Sequence, residues 1–216
     1  MPNSSLPPQP ADATSTPDTV ALSDVLPAIE RADVEGAALL RAHPGRVTAT
    51  RLPFYADASL LRAEAWLPAR PVVLRYVQLH RGDRVLPLGS VEAVLAANVA
   101  ADLRLTAQNA LAYLRYYLES VGGRTPRRVV ERPDDLRLLP EPEPRPGAAT
   151  AREQALARVH PASVQPDLAG GVRVTATTLR GRTIEAVTFV LKPDGRVTEE
   201  RVTTLVEDAP VVWTSR

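Results

Sequence analysis

The sequence contains no cysteine, three histidines and only nine aromatic residues: five Tyr, two Phe and two Trp. Without cysteine there is no disulfide framework, thiolate nucleophile, Cys-ligated zinc, iron–sulfur cluster or lipoprotein anchor. Lysine is nearly missing as well. Lys192 stands in the turn Lys192-Pro193-Asp194-Gly195, so no P-loop can be built, because that loop needs a lysine directly after its glycines. No G-x-G-x-x-G occurs; Gly122-Gly123 reads as a helix stop and Gly170-Gly171 as a loop.

The serines in Leu-Gly-Ser90-Val-Glu and Leu-Glu-Ser120-Val-Gly do not form a nucleophile elbow. His43, His80 and His160 are far apart and match no close metal-binding spacing, so neither a metal nor a cofactor is expected. Net charge is also small, at +1 from 26 basic and 25 acidic residues, which argues against nucleic-acid binding by the chain as a whole. Long apolar runs are missing too. The most apolar stretch, Val91 to Ala101, carries Glu92 and Asn98 and falls well short of the ~20 residues of a membrane span. The first residues have neither the basic nor the apolar region of a secretory signal, so a cytoplasmic protein without membrane contact is expected.

Proline, by contrast, is abundant, with 21 residues that punctuate the chain. Residues 1–19 are Pro-rich and acidic with little to bury, which predicts a disordered tail. The run Pro140-Glu-Pro-Glu-Pro-Arg-Pro-Gly147 blocks helix and ladder alike and predicts a stiff linker over 140–150. Between them, 20–139 is expected to form an α+β core. Residues 151–216 are expected to form a helix plus a three-stranded meander docked on that core, since about 65 residues alone are marginal. Charge is segmented: one Arg and six acids lie in 1–40, and fourteen Arg and seven acids in 41–132. Every basic residue but Lys192 is arginine, a bias that also suits a GC-rich coding sequence.

The patterning predicts mainly antiparallel sheet packed by one long helix and several short ones. Ser23 and Asp33 are placed to cap two short helices, the second ending near His43-Pro44-Gly45. Strands are predicted at 60–66, 72–80 and 84–88, the last two joined by the turn Arg81-Gly82-Asp83. Ser90 caps a short helix. Thr106 opens the longest one, with apolar positions Ala107, Leu111, Leu114, Leu118 and Val121 at three- and four-residue spacing. Strands follow at 127–131, 172–179, 183–191 and 196–206.

The run LGSVEAVLAANVAADLRLTAQNALAYLRYYLESV (88–121), followed by VVERPDDLRLLP (129–140), resembles an uncharacterised bacterial protein family. In that family a hairpin leads into a short helix, a long aromatic helix and a strand. The resemblance implies a folded bacterial α+β protein and carries no activity, cofactor or catalytic residue.

Three functional readings remain open. Tyr113, Arg115, Tyr116 and Tyr117 on the long helix, with Arg127 and Arg128 beyond it, could form a protein-binding or homo-oligomeric surface, where Tyr and Arg are enriched. The same tyrosines could instead complete the core with their hydroxyls at the surface. The same region, from Arg104 to Arg128, could alternatively stack and neutralise a single-stranded nucleic acid. Glu64, Arg75 and His80 could line the polar cleft of an enzyme, or Glu64 and Arg75 could form a cross-strand ion pair. With every recognisable nucleophile, phosphate and metal signature absent, a non-catalytic protein-binding or assembly module is the expected function.

Overall fold

Leu61, Ala63 and Ala65 alternate with Leu60, Arg62 and Glu64 along a single strand, and period-two geometry sends the two sets to opposite faces. That strand is the middle of a five-stranded antiparallel meander in the computed structural model, which describes residues 16–81, 83–121, 127–139 and 151–211. The strands are β1 (Asp18–Val20), β2 (Pro44–Arg51), β3 (Ala58–Trp66), β4 (Pro71–Leu79) and β5 (Arg84–Pro87), adjacent in chain order. One face is covered by α1 (Leu22–Ala32) and α2 (Val34–Ala42), whose Val25, Ile29 and Leu40 pack on Val47, Leu61, Ala63 and Tyr76. The other face, through Leu60 and Val77, meets α3 (Val91–Ala100) and α4 (Ala110–Ser120).

The chain continues through β6 (Arg127–Val129), a single 3-10 turn at Pro133–Asp135, α5 (Ala151–Ala157), β7 (Ser163–Pro166), β8 (Val172–Arg180), β9 (Thr183–Leu191) and β10 (Val197–Val206). The second sheet has the order β10-β9-β8-β6, with β7 also paired to β8, and it too is antiparallel. Val174, Ala176, Val187 and Phe189 on this sheet share one continuous core with Leu60, Val77, Tyr113 and Leu114. Helices α3 and α4 therefore contribute to a core that both sheets enclose, and the fold is α+β. A smaller cluster, including Val130, Leu136, Ala155, Leu179 and Ile184, closes the opposite face of the second sheet.

Local signals account for several element ends. Asp33 accepts the Gly36 N–H at 2.8 Å and caps α2; Ser90 accepts the Ala93 N–H at 3.2 Å and caps α3. Ser23 is no cap. It lies inside α1, whose N-cap is Ala21, and its hydroxyl donates to Asp24. The long helix begins at Ala110 rather than at Thr106, because Asn109 folds the preceding chain into a turn. Its carboxamide accepts from the Thr106 N–H at 2.8 Å and donates to the Arg104 carbonyl at 2.7 Å. Ala107 is exposed there, not part of a core stripe.

The predicted tail is shortened from its C-terminal end, since Asp18 and Thr19 belong to β1 and pair with Ala49 and Thr48. Strands β2 and β7 were not anticipated. Pro44-Gly45 reads as a helix stop but also starts β2, where a register shift between Pro44 and Val47 blurs the alternation. The rest of the predicted tail (1–15), the 140–150 linker, Gly82 and Gly122-Gly123 lie outside the described residues.

Candidate cleft at the open edge of β4

Strand β4 has nine residues and β5 only four. Every residue of β4 from Pro71 to Leu79 pairs with β3, whereas β5 pairs with Tyr76 to Leu79 alone. The Leu88 N–H donates to the Arg75 carbonyl at 2.9 Å, and the chain then leaves the sheet at Gly89, whose φ of +150° suits glycine. Because Arg75 turns its carbonyl away from β3, alternation turns the N–H and C=O of Val73 the same way, while Leu74 and Tyr76 bond toward β3. Among the described residues no strand lies beside Pro71–Leu74 on that side.

The lane that a longer β5 would fill is a cleft of about 160 Å³. Its floor is Val73, Leu74 and Arg75; Leu88 and Gly89 close one end. One wall is Asp33, at the junction of α1 and α2. The opposite wall is Glu119 and Ser120, at the last turn of α4. Asp33 accepts two hydrogen bonds from neutral donors, the Gly36 N–H and the Tyr76 hydroxyl at 2.9 Å. Burial, reinforced by Asp33, pushes the Tyr76 phenol well above its ordinary range. Glu119 is ion-paired with Arg62. Burial pulls the Arg75 guanidinium down from its ordinary value; the charge of Glu119 opposes this and that of Arg62 adds to it. Ser120 is 2% exposed, and its hydroxyl has no hydrogen-bond partner. A buried hydroxyl left in that state is costly.

The residues singled out from sequence are distributed otherwise. Glu64 and Arg75 share a face but are not opposite each other: Glu64 faces Val73 and Arg75 faces Arg62. Glu64 accepts from the Trp66 indole N–H at 3.2 Å instead. His80 lies five residues beyond Arg75, about 16 Å along the strand, and parity puts it on the other face. There its Nε2 lies 3.0 Å from the Ser59 hydroxyl. The three groups do not converge.

Tyr113, Tyr116 and Tyr117 are buried rather than presented to a partner. Tyr113 and Tyr116 also keep their hydroxyls inside. Asn98 donates to the Tyr113 hydroxyl at 2.8 Å and accepts from Tyr55 at 2.6 Å, and the Tyr55 hydroxyl lies 3.2 Å from that of Tyr116. Arg115 pairs with Glu131. Arg127 is buried against Glu185 at 2.7 Å, pairs also with Glu199 and lies 6.0 Å over the Phe189 ring; Arg180 holds the second oxygen of Glu185 at 2.7 Å. Arg128 is half-buried on β6. Arg104 pairs with Asp102 at 2.8 Å. Arg104, Arg115 and Arg127 are thus tied into internal or local pairs, while the three tyrosines are buried.

A second, larger cleft of about 460 Å³ is lined by Asp57, Arg81, Asp102 and Arg104. Its charges are matched within it, Arg81 to Asp57 at 3.4 Å and Arg104 to Asp102. Among the described residues no three His, Asp or Glu side chains are placed to hold a metal ion, and no helix is long and apolar enough to cross a membrane.

Sequence reasoning missed Val73 and Ser120 as cleft residues and read Asp33 only as a cap. The available signal was the unequal length of the strands flanking Arg81–Asp83, together with Gly89 at the point where the shorter one stops. No family model matches the chain, and no curated protein or solved structure matches it.

Proposed function

We propose that the chain is a protein-binding module that takes up an extended segment of a partner as an added strand on the open edge of β4. The observation that carries this reading is the unequal pairing of β4, complete toward β3 and limited to Tyr76–Leu79 toward β5. Strand addition draws affinity from main-chain hydrogen bonds and specificity from the alternate side chains. Val73 supplies a donor and an acceptor, and Pro71 supplies a carbonyl but no N–H, which limits how far pairing extends.

The lane is flanked by Asp33 on one side and by Glu119 and Ser120 on the other. His80 lies on the opposite face of the sheet from Glu64 and Arg75, which supports binding over catalysis by these three groups.

The test is selection from a displayed library of random peptides on the full chain and on Val73→Pro. The Val73 N–H points away from β3, so proline removes the outward donor and leaves the β3–β4 ladder intact. The reading predicts enrichment of extended peptides on the parent chain and loss of that enrichment on the folded variant. Equal enrichment on both, or none on the parent chain, contradicts it.

A further inference from the structure

The two walls of the cleft differ in how their charge is matched. Glu119 has Arg62 as its ion-pair partner and Arg75 nearby. Asp33 has no cation beside it among the described residues; only the Gly36 N–H and the Tyr76 hydroxyl reach it, one on each oxygen. A carboxylate oxygen accepts more than one hydrogen bond, so both oxygens keep acceptor capacity. The Tyr76 phenol, held neutral by its burial, cannot balance that charge.

An added strand alternates its side chains between the two walls. The residue beside Val73 faces Arg75, Glu119 and Ser120, and the residue beside Leu74 faces Asp33 and Tyr76. We infer that the segment taken up at this edge carries a lysine or arginine at the position facing Asp33, beside a residue whose acceptor receives the Ser120 hydroxyl. This rests on the strand-addition reading and names the chemistry of its partner. Charge-assisted bonds to a carboxylate are the strong ones, so this position is the main determinant of sequence preference.

The experiment repeats the peptide selection on Asp33→Asn, which retains an N-cap acceptor for Gly36 and removes the charge. Peptides enriched on the parent chain are expected to share a Lys or Arg at one fixed position, and those enriched on Asp33→Asn are expected to lack that preference. For a synthetic peptide of the consensus, binding weakens about tenfold on Asp33→Asn. The difference between the two proteins shrinks as salt is raised.

Peptides that depend on Val73 but show no fixed basic residue, or that bind Asp33→Asn equally well, overturn this inference and leave strand addition standing. Peptides indifferent to Val73→Pro overturn both. Sedimentation of the parent chain alone supplies the remaining arm. A concentration-dependent dimer abolished by Val73→Pro means that a second copy occupies the edge, which also overturns the inference.

Discussion

The hydroxyl of Tyr113, on the inner face of α4, donates at 2.7 Å to the main-chain carbonyl of Gly195 in the turn between β9 and β10. That bond joins positions 82 residues apart and ties the helix to the second sheet. Asn98 of α3 strengthens the tie by donating to both the Tyr113 hydroxyl and the Asp194 carbonyl. Tyr113, Asn98 and Gly195 are buried, so a missing partner among them costs more than an exposed hydrogen bond would.

Tyr113→Phe leaves the Gly195 carbonyl without its donor and is expected to cost about 1–3 kcal/mol. Gly195→Ala costs more. Gly195 has φ of +84°, and an added Cβ collides with the Asn98 carboxamide and the Tyr113 hydroxyl. Urea unfolding of both variants checks the order; a Gly195→Ala protein as stable as the parent contradicts this account of the turn.

Gly36→Ala separates helix propensity from packing. In an ordinary helix interior the change stabilises by about 1 kcal/mol. Here the new methyl group strikes the Asp33 carboxylate and the Tyr76 hydroxyl, which must part. The expected result is net destabilisation together with a Tyr76 phenol that ionises more easily. Thermal unfolding and tyrosinate absorbance report the two effects separately.

Glu185 is 1% exposed between Arg127 and Arg180. Replacing Arg127 with Met removes one of its two cations and leaves Glu199 without this partner. Breaking a buried pair from one side costs about 3–5 kcal/mol, so Arg127→Met is strongly destabilising. Changing Arg127 and Glu185 together to apolar residues is predicted to recover part of that loss, as measured by a double-mutant cycle.

All five tyrosines are shifted upward, chiefly by burial; Tyr116 reaches about 12, while Tyr55, Tyr76, Tyr113 and Tyr117 also rise. Unfolded tyrosine ionises near about 10. A folded pKa above that value contributes stability that is whole below about pH 10 and is lost as pH climbs through the folded values. Each tyrosine removes about 1.4 kcal/mol per pH unit in that window. Tyrosinate absorbance is therefore predicted to appear together with the loss of circular dichroism. Ionisation of several tyrosines near pH ~10 in a folded protein contradicts the buried network.

Much of the architecture could be read from pattern. The turn at Lys192–Gly195 and the alternation of Val187, Phe189 and Leu191 specify a meander, and Asp33 and Ser90 announce α2 and α3. Where the long helix begins was hidden because Asn109 uses its side chain to hold a turn, and a spacing rule cannot register that choice. The role of the tyrosines was hidden for a related reason. Tyr113 and Tyr116 look amphipathic in one dimension, but their hydroxyls find partners on Asn98, Gly195 and Tyr55, which only the fold brings near. The cleft was the least legible feature. It arises from β5 ending early, a negative feature of the sheet, and its walls come from positions as distant in sequence as Asp33 and Ser120.

Amide hydrogen exchange at Val73 tests strand addition most directly, because that N–H points out of the sheet and its neighbours at Leu74 and Tyr76 point toward β3. The account predicts rapid exchange at Val73 and slow exchange at Leu74 and Tyr76 in the free protein, with Val73 becoming protected when a selected peptide is added. Protection of Val73 in the free protein equal to that of Leu74, or a Val73 amide that a bound peptide leaves unchanged, would contradict it.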